Sequence, residues 1–165
     1  MHISKNKSSW IKWIGNFESA SGYSEATRAM MKALFENNLY VKTQNKGLGH
    51  EIVMKEDIRL IYEIFKKTQL DNRHITIQTL PPCDFVMDND AYLNIGRTAD
   101  ESTGISEDWV NQCNKMDEVW VPSSFNKETF IGSGVSPEKV FVVPDAIDIG
   151  LYDFHAKPLF IDVEK

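Results

Sequence analysis

Three short stretches of this chain carry residues able to do chemistry. The first is Gly15-Asn16-Phe17-Glu18-Ser19-Ala20-Ser21-Gly22-Tyr23-Ser24, glycine and small polar residues between an apolar run and a helical pattern. Amides at the start of a helix have no intrahelical acceptor, so a junction of this kind can hold an anion. Glycine at 22 permits close backbone approach to a phosphate. The competing reading is an ordinary strand-to-helix turn in which Gly22 serves sterics alone. The stretch is not Gly-x-Gly-x-x-Gly, and no P-loop lysine follows, so dinucleotide and P-loop sites fit poorly.

The second stretch is Asn94-Ile95-Gly96-Arg97-Thr98-Ala99-Asp100-Glu101-Ser102-Thr103-Gly104. Arg97 has the forked donors that match a phosphate or carboxylate, and Glu101 can hold a sugar hydroxyl. A solvated acidic loop with a surface Arg–Asp pair explains the same composition and contributes little energy. The third is Pro122-Ser123-Ser124, where one serine caps a helix, a structural role that needs no ligand. Asp88-Asn89-Asp90 has the Asp-x-Asp form that holds a metal in single-domain nucleotide-sugar transferases. A polar turn is the better account of it. His2, His50, His74 and His155 show no partner spacing, and His50, in a glycine loop, is the one to watch. No metal and no cofactor are expected.

The elements that must position these residues alternate. Trp10 to Phe17 reads as a first strand. A helix fits Gly22 to Asn37, capped by Ser21, with Tyr23, Ala26, Met30, Ala33 and Leu34 at helical spacing. A strand follows at Leu39 to Thr43, then a loop from Asn45 to His50 containing Gly47 and Gly49. Met54, Ile58, Ile61, Tyr62 and Phe65 mark a second helix, and Ile75 to Leu80 a strand stopped by Pro81-Pro82. Ala91 to Gly96 is a further strand. Ser106 caps a third helix, with Glu107 and Asp108 suited to its dipole and a stripe of Trp109, Val110, Cys113 and Met116. Strand Glu118 to Val121, helix Ser124 to Ile131 and strand Lys139 to Val143 complete the series. Short continuous apolar runs between helices call for a parallel sheet covered on both faces, an α/β, Rossmann-like fold. Loops leaving the carboxyl ends of such strands meet where open sheets hold ligands.

A length of 165 residues suits one domain with a proper core. With 24 acidic against 18 basic residues and no dense Lys/Arg block, nucleic acid is a poor partner. Cys83 and Cys113 form neither a disulfide framework nor a Cys-x-x-Cys metal motif, and free thiols suit a reducing cytosol. No run approaches the roughly 20 apolar residues of a membrane helix, and Met1 to Ser9 lacks a signal-peptide centre. A cytoplasmic protein with at most peripheral membrane contact is expected. Residues 1–9 read as a polar tail, 10–148 as the domain, and 149–165 as a linker. Within that linker, Lys157 to Val163 resembles a new strand, which either joins the sheet or begins a second domain.

These residues carry a family likeness between about residues 10 and 150. Gly22-Tyr23-Ser24-x-Ala26-x-Arg28 resembles the glycine loop of GT-B glycosyltransferases of the large family 4 group. Ile95-Gly96-x-Thr98-x-x-Glu101-Ser102, followed by Ile105-Ser106-Glu107-Asp108-Trp109, is similar to the glycine-threonine-glutamate loop of that group. Met116-Asp117-Glu118-Val119-Trp120-Val121-Pro122-Ser123-x-Phe125-Asn126 is the most specific match, and Gly134-Val135 through Val143-Pro144 and Ile147-Asp148 resembles the exit from the N-terminal domain. Arg97 and Asp100 stand where aromatics are common, and Ala146 where a glycine is usual.

The resemblance implies the acceptor-binding N-terminal half of a retaining, metal-independent enzyme. A sugar would pass from a nucleotide-diphosphate donor to a glycan or lipid-linked hydroxyl. Gly15, Asn16, Ser21 and Gly22 would form the donor-phosphate loop, and Tyr23, Arg97, Glu101, Ser102 and Ser123 the acceptor-side cleft. The nucleotide and the catalytic glutamates would belong to a C-terminal domain. The alternatives are a non-catalytic glycan-binding or scaffolding module of the same fold, and a Rossmann enzyme with a nucleotide cofactor. The last is disfavoured because no acidic residue follows a Gly-x-Gly-x-x-Gly turn at the ribose spacing.

Overall fold

The structure, a computed structural model, describes residues 8–46, 54–147 and 155. In chain order the elements are β1 (Ser8–Gly15), α1 (Gly22–Glu36), β2 (Lys42–Asn45), α2 (Glu56–Lys67) and β3 (Gln69–Thr79). They continue with β4 (Ala91–Arg97), α3 (Glu107–Lys115), β5 (Glu118–Val121), α4 (Ser124–Gly132) and β6 (Val140–Val142). Every adjacent pair is parallel, in the order β2-β1-β3-β4-β5-β6. The fold is the expected α/β, Rossmann-like sheet flanked by helices. The chain moves from β1 outward to β2, then returns to the other side of β1, a reversal that opens a crevice at the carboxyl ends.

Register decides which side chains share a face, because paired residues point the same way and neighbours along a strand alternate. Trp13, Ile77 and Ile95 lie in one row, and Gly15, Thr79, Arg97, Trp120 and Phe141 in the last row of the same face. That face packs with Met31 of α1 and with Ile61, Tyr62 and Phe65 of α2. On the opposite face Ile14, Val119 and Val140 join Val110 and Cys113 of α3 and Phe130 of α4. Gly96 lies there under the ring of buried Phe85, where an added Cβ would stand 2.4 Å from Cε2. Its lack of a side chain is a packing requirement of the second core.

Several boundaries and faces differ from the sequence expectation. The buried face of α1 is Ser24, Thr27, Arg28 and Met31. The apolar set Tyr23, Ala26, Met30, Ala33 and Leu34 is only half-buried. Ser24 and Arg28 take the inner position because they fasten the turn before the helix, as described below, and the Thr27 hydroxyl donates to the Tyr23 carbonyl within it. β2 begins at Lys42, since Asn38 turns the chain with φ 59° and Leu39 stays exposed. β3 starts earlier, where Gln69 and Leu70 pair with Ser8 and Ser9 ahead of a register shift. Trp109 is half-buried, whereas Val110, Cys113 and Met116 are buried as expected. Trp120 is also half-buried, and its indole N–H donates to Glu118 Oε2 at 2.8 Å.

Ser8 and Ser9, assigned from sequence to the tail, belong to β1. Residues 1–7, the loop residues Gly47, Gly49 and His50, and the linker from 148 onward, apart from exposed His155, lie outside the described residues. Among the described residues no helix is long and apolar enough to cross a membrane.

Candidate functional site

A cleft of about 220 Å³ opens at the carboxyl edge of the sheet, on the face that carries Arg97. Gly22, Tyr23 and Ala26 of α1 form one wall. Arg97, Thr98, Ala99 and Glu101, at the end of β4 and beyond, form the other, and Pro122 and Asp145 close it from the exits of β5 and β6.

The turn before α1 is fastened by its own polar residues. The Ser21 hydroxyl caps the helix by accepting from the Ser24 amide at 3.3 Å. Ser19 and Ser21 hydroxyls lie 2.8 and 2.9 Å from that of Ser24. Arg28, buried one turn into the helix, donates from Nη1 to the carbonyls of Phe17 at 2.7 Å and Ser19 at 2.9 Å. From the other side, Asn45 Oδ1 accepts from the Phe17 amide at 3.0 Å. Each such bond contributes about 1 kcal/mol net, and together they fix where the helix N-terminus stands. Tyr23 then ties that first turn to β4. Its hydroxyl lies 2.9 Å from Thr98 Oγ1 and donates to the Ala99 carbonyl at 3.0 Å.

Gly22 is the first residue of a fifteen-residue helix, so its amide and that of Tyr23 have no intrahelical acceptor. A Cβ built on Gly22 would meet nothing within 4 Å, and its φ is outside the left-handed region. Neither packing nor backbone conformation requires glycine at 22. The space beside it is open, so packing gives the steric account no support.

Arg97 is 5% exposed and is the one cation lining the cleft among the described residues. Its Nη2 pairs with Asp145 Oδ1, while its Nε–H is buried with no hydrogen-bond partner among the described residues. An unmade bond on a buried donor costs about 1–3 kcal/mol. Asp145 is far more open, its side chain 45% exposed. The pair therefore joins a buried cation to a carboxylate that solvent reaches.

Of the residues singled out from sequence, Gly22, Tyr23, Arg97 and Glu101 come together in the cleft. Gly15, Asn16 and Ser21 sit behind it. The Gly15 carbonyl accepts from the Lys46 amide at 2.9 Å. Asn16 Oδ1 accepts from the Glu18 amide at 3.3 Å, and Ser21 is occupied as the cap. Ser102 is turned onto its own loop, its amide donating to Asp100 Oδ1 at 2.8 Å and its hydroxyl to the Gly104 carbonyl at 2.7 Å. Ser123 caps α4, accepting from the Asn126 amide at 3.2 Å. Neither of these serines lines the cleft.

Sequence reasoning missed Asp145 as a cleft residue, the fastening role of Arg28 and the Tyr23–Thr98 tie. The tie spans 75 positions and the Arg97–Asp145 pair spans 48, so no local spacing signals either.

Asp88, from the Asp-x-Asp triplet, belongs to a different structure. Its Oδ2 accepts from Lys12 Nζ at 2.9 Å and Thr76 Oγ1 at 2.8 Å, with His74 Nε2 at 3.4 Å. Oδ1 accepts from the Asp90 amide at 3.2 Å. Burial pushes this carboxyl up, but the hydrogen bonds from Lys12, Thr76 and His74 outweigh it and hold it well below the usual carboxylate range. Lys12 supplies the cation that this carboxylate pairs with. No group of three or more His, Cys, Asp or Glu among the described residues is arranged to hold a metal. Cys113, pushed up to about 12 by burial, is a core thiol, whereas Cys83 is exposed and free.

Compared with protein-family models, with curated proteins and with solved structures, the chain gives no match in any of the three.

Proposed function

We propose that this chain is the acceptor-binding N-terminal half of a retaining glycosyltransferase of the GT-B type, working on a nucleotide-diphosphate sugar. The sugar passes to a glycan or lipid-linked hydroxyl, and the protein acts in the cytoplasm. The observation that carries the reading is the meeting, in one cleft, of an unobstructed helix N-terminus at Gly22 and a buried arginine. Amides and a guanidinium fixed in advance stabilise charge that develops on a leaving phosphate. Glu101, exposed on the rim, is placed to orient a hydroxyl. The resemblance of Gly22 to Arg28, Ile95 to Ser102 and Met116 to Asn126 supplies the family.

The cleft's size supports a half-site. Complete small-molecule pockets run to roughly 300–1,000 Å³, and this one holds about 220 Å³. A second domain facing the same edge would supply the remaining walls, the nucleotide contacts and the catalytic groups.

The test is transfer of labelled sugar by the purified chain, alone and mixed with a separately expressed C-terminal domain of the same family. No transfer alone and transfer on mixing is the expected result. Robust turnover by the chain alone overturns the half-enzyme reading. Glycan binding that needs no nucleotide, with no transfer in the mixture, points instead to a non-catalytic module.

A further inference from the structure

We infer that Arg97 is an oxyanion-recognition residue whose present partner, Asp145, is an exchangeable counter-ion that a substrate phosphate or carboxylate displaces. The inference deepens the transferase reading and rests on it for the source of the oxyanion.

Three features of the pair support exchange. Asp145 engages Nη2, leaving Nε–H without a bond among the described residues, whereas a guanidinium satisfies an oxyanion best through two parallel donors. A bidentate ligand therefore offers Arg97 more than Asp145 does. The two partners also differ in attachment. Arg97 is locked at the end of β4, in register with Thr79 and Trp120, while Asp145 lies in the connector after β6 with nearly half its side chain in solvent. The side that yields is the aspartate. Finally, Gly22 and Tyr23, the first residues of a long helix, line the same cleft, and a helix start favours negative charge near it.

Glu101 is the second carboxylate on the lining, exposed at the rim. With Asp145 in place, one cation faces two carboxylates among the described residues, which weakens the cleft's hold on anions. Once Asp145 swings out, the guanidinium and the helix terminus dominate. Asp145 thus discriminates against anions that offer a single acceptor, such as chloride, and yields to oxyanions that take both donors.

The experiment titrates the full chain with three probes: pyrophosphate, methyl phosphate and glucuronate. It follows the Arg97 Nε–H and the Gly22 and Tyr23 amides by proton–nitrogen NMR. In the unsubstituted protein the Arg97 Nε–H resonance should shift on saturation. Asp145→Asn, which keeps the shape and removes the competing charge, should tighten binding roughly fivefold, the scale of a part-exposed ion pair. Arg97→Lys, which keeps charge but loses the fork, should lose that binding.

Tightening confined to pyrophosphate assigns the oxyanion to the donor. Tightening for methyl phosphate or glucuronate assigns it to an acidic acceptor. The inference is overturned if Asp145→Asn binds none of the probes more tightly, if folded Arg97→Lys binds as well as the parent, or if the Nε–H resonance stays fixed while the helix amides move. In the last case the helix-terminus part of the transferase reading survives. Conversely, an Arg97-dependent oxyanion site with no transfer in the mixed-domain assay would retain the inference and remove the transferase.

Discussion

Two aspartates pair with cations that β-strands present, and the pairs are built in opposite ways. Asp88 accepts four hydrogen bonds through both of its oxygens, from Lys12, Thr76, His74 and the Asp90 amide. Its side chain is 13% exposed and that of Lys12 23%. Asp145 meets Arg97 through one oxygen, leaves the arginine Nε–H unmet among the described residues, and is 45% exposed. The first pair is over-determined: any of its donors can be lost and the others still orient the carboxylate. The second is under-determined and borders the cleft. A charge fixed by many partners is a fold element, and one fixed by a single exposed partner is free to exchange.

Asparagine substitution separates the two, because an amide keeps one acceptor and turns the other position into a donor. At Asp88 both oxygens already face donors, so Asp88→Asn sets an N–H₂ against an N–H or leaves Lys12 unpaired. The expected loss is about 3 kcal/mol, the scale of breaking a largely buried, hydrogen-bonded pair. It is measured as a lowered urea midpoint at an unchanged slope. A loss below about 1 kcal/mol would place this pair in the same class as the exposed one and end the contrast.

Acid sharpens the same point with a smaller effect. Asp88 has a folded-state value held below that of the unfolded chain, about 3.9. Its contribution is fully present above that pH and declines as pH falls through the folded value. The stability gap between the parent and Asp88→Asn should therefore narrow below about pH 4 and stay constant from pH 5 to 7. A gap that persists undiminished to pH 3 would mean that the carboxylate's charge is not what stabilises this corner.

The contrast also explains what the sequence revealed. Strand Glu118–Val121, the Ser106 and Ser123 caps and the parallel layering follow from local periodicity and capping chemistry, which act over a few residues. The inner face of α1 did not. Ser24 and Arg28 are buried because they hold the preceding turn, Thr27 donates back to the Tyr23 carbonyl inside the helix, and polarity alone would have placed all three outside. Gly22, Arg97 and Glu101 were legible as residue types in loops after strands. Their meeting depends on strand order and register, which bring β4 beside the start of α1. Asp145 gave no signal, since an aspartate after a strand is an ordinary connector and its partner lies far back in the chain. Asp88 read as part of a polar turn, and its pairing with Lys12, far back in the chain, gave no local signal either.

The smallest effect is expected at Asp145, where the two aspartates should diverge most in kind. Asparagine there can retain the oxygen that Arg97 Nη2 uses, on a side chain that is 45% exposed. The remaining cost is the lost charge attraction to Arg97, at most about 1 kcal/mol for a pair with one exposed partner. Removing the aspartate's charge leaves Arg97 as a buried cation, which pulls the other way; the retained hydrogen bond and the nearby Glu101 limit that penalty. Urea denaturation of Asp145→Asn at pH 7 should thus shift stability by less than about 1 kcal/mol, while the same variant gains affinity for oxyanions. A loss near that of Asp88→Asn would show that Arg97 depends on Asp145 to stay folded in place. The two pairs would then differ in location alone, and Asp145 could not leave the cleft without unfolding its edge.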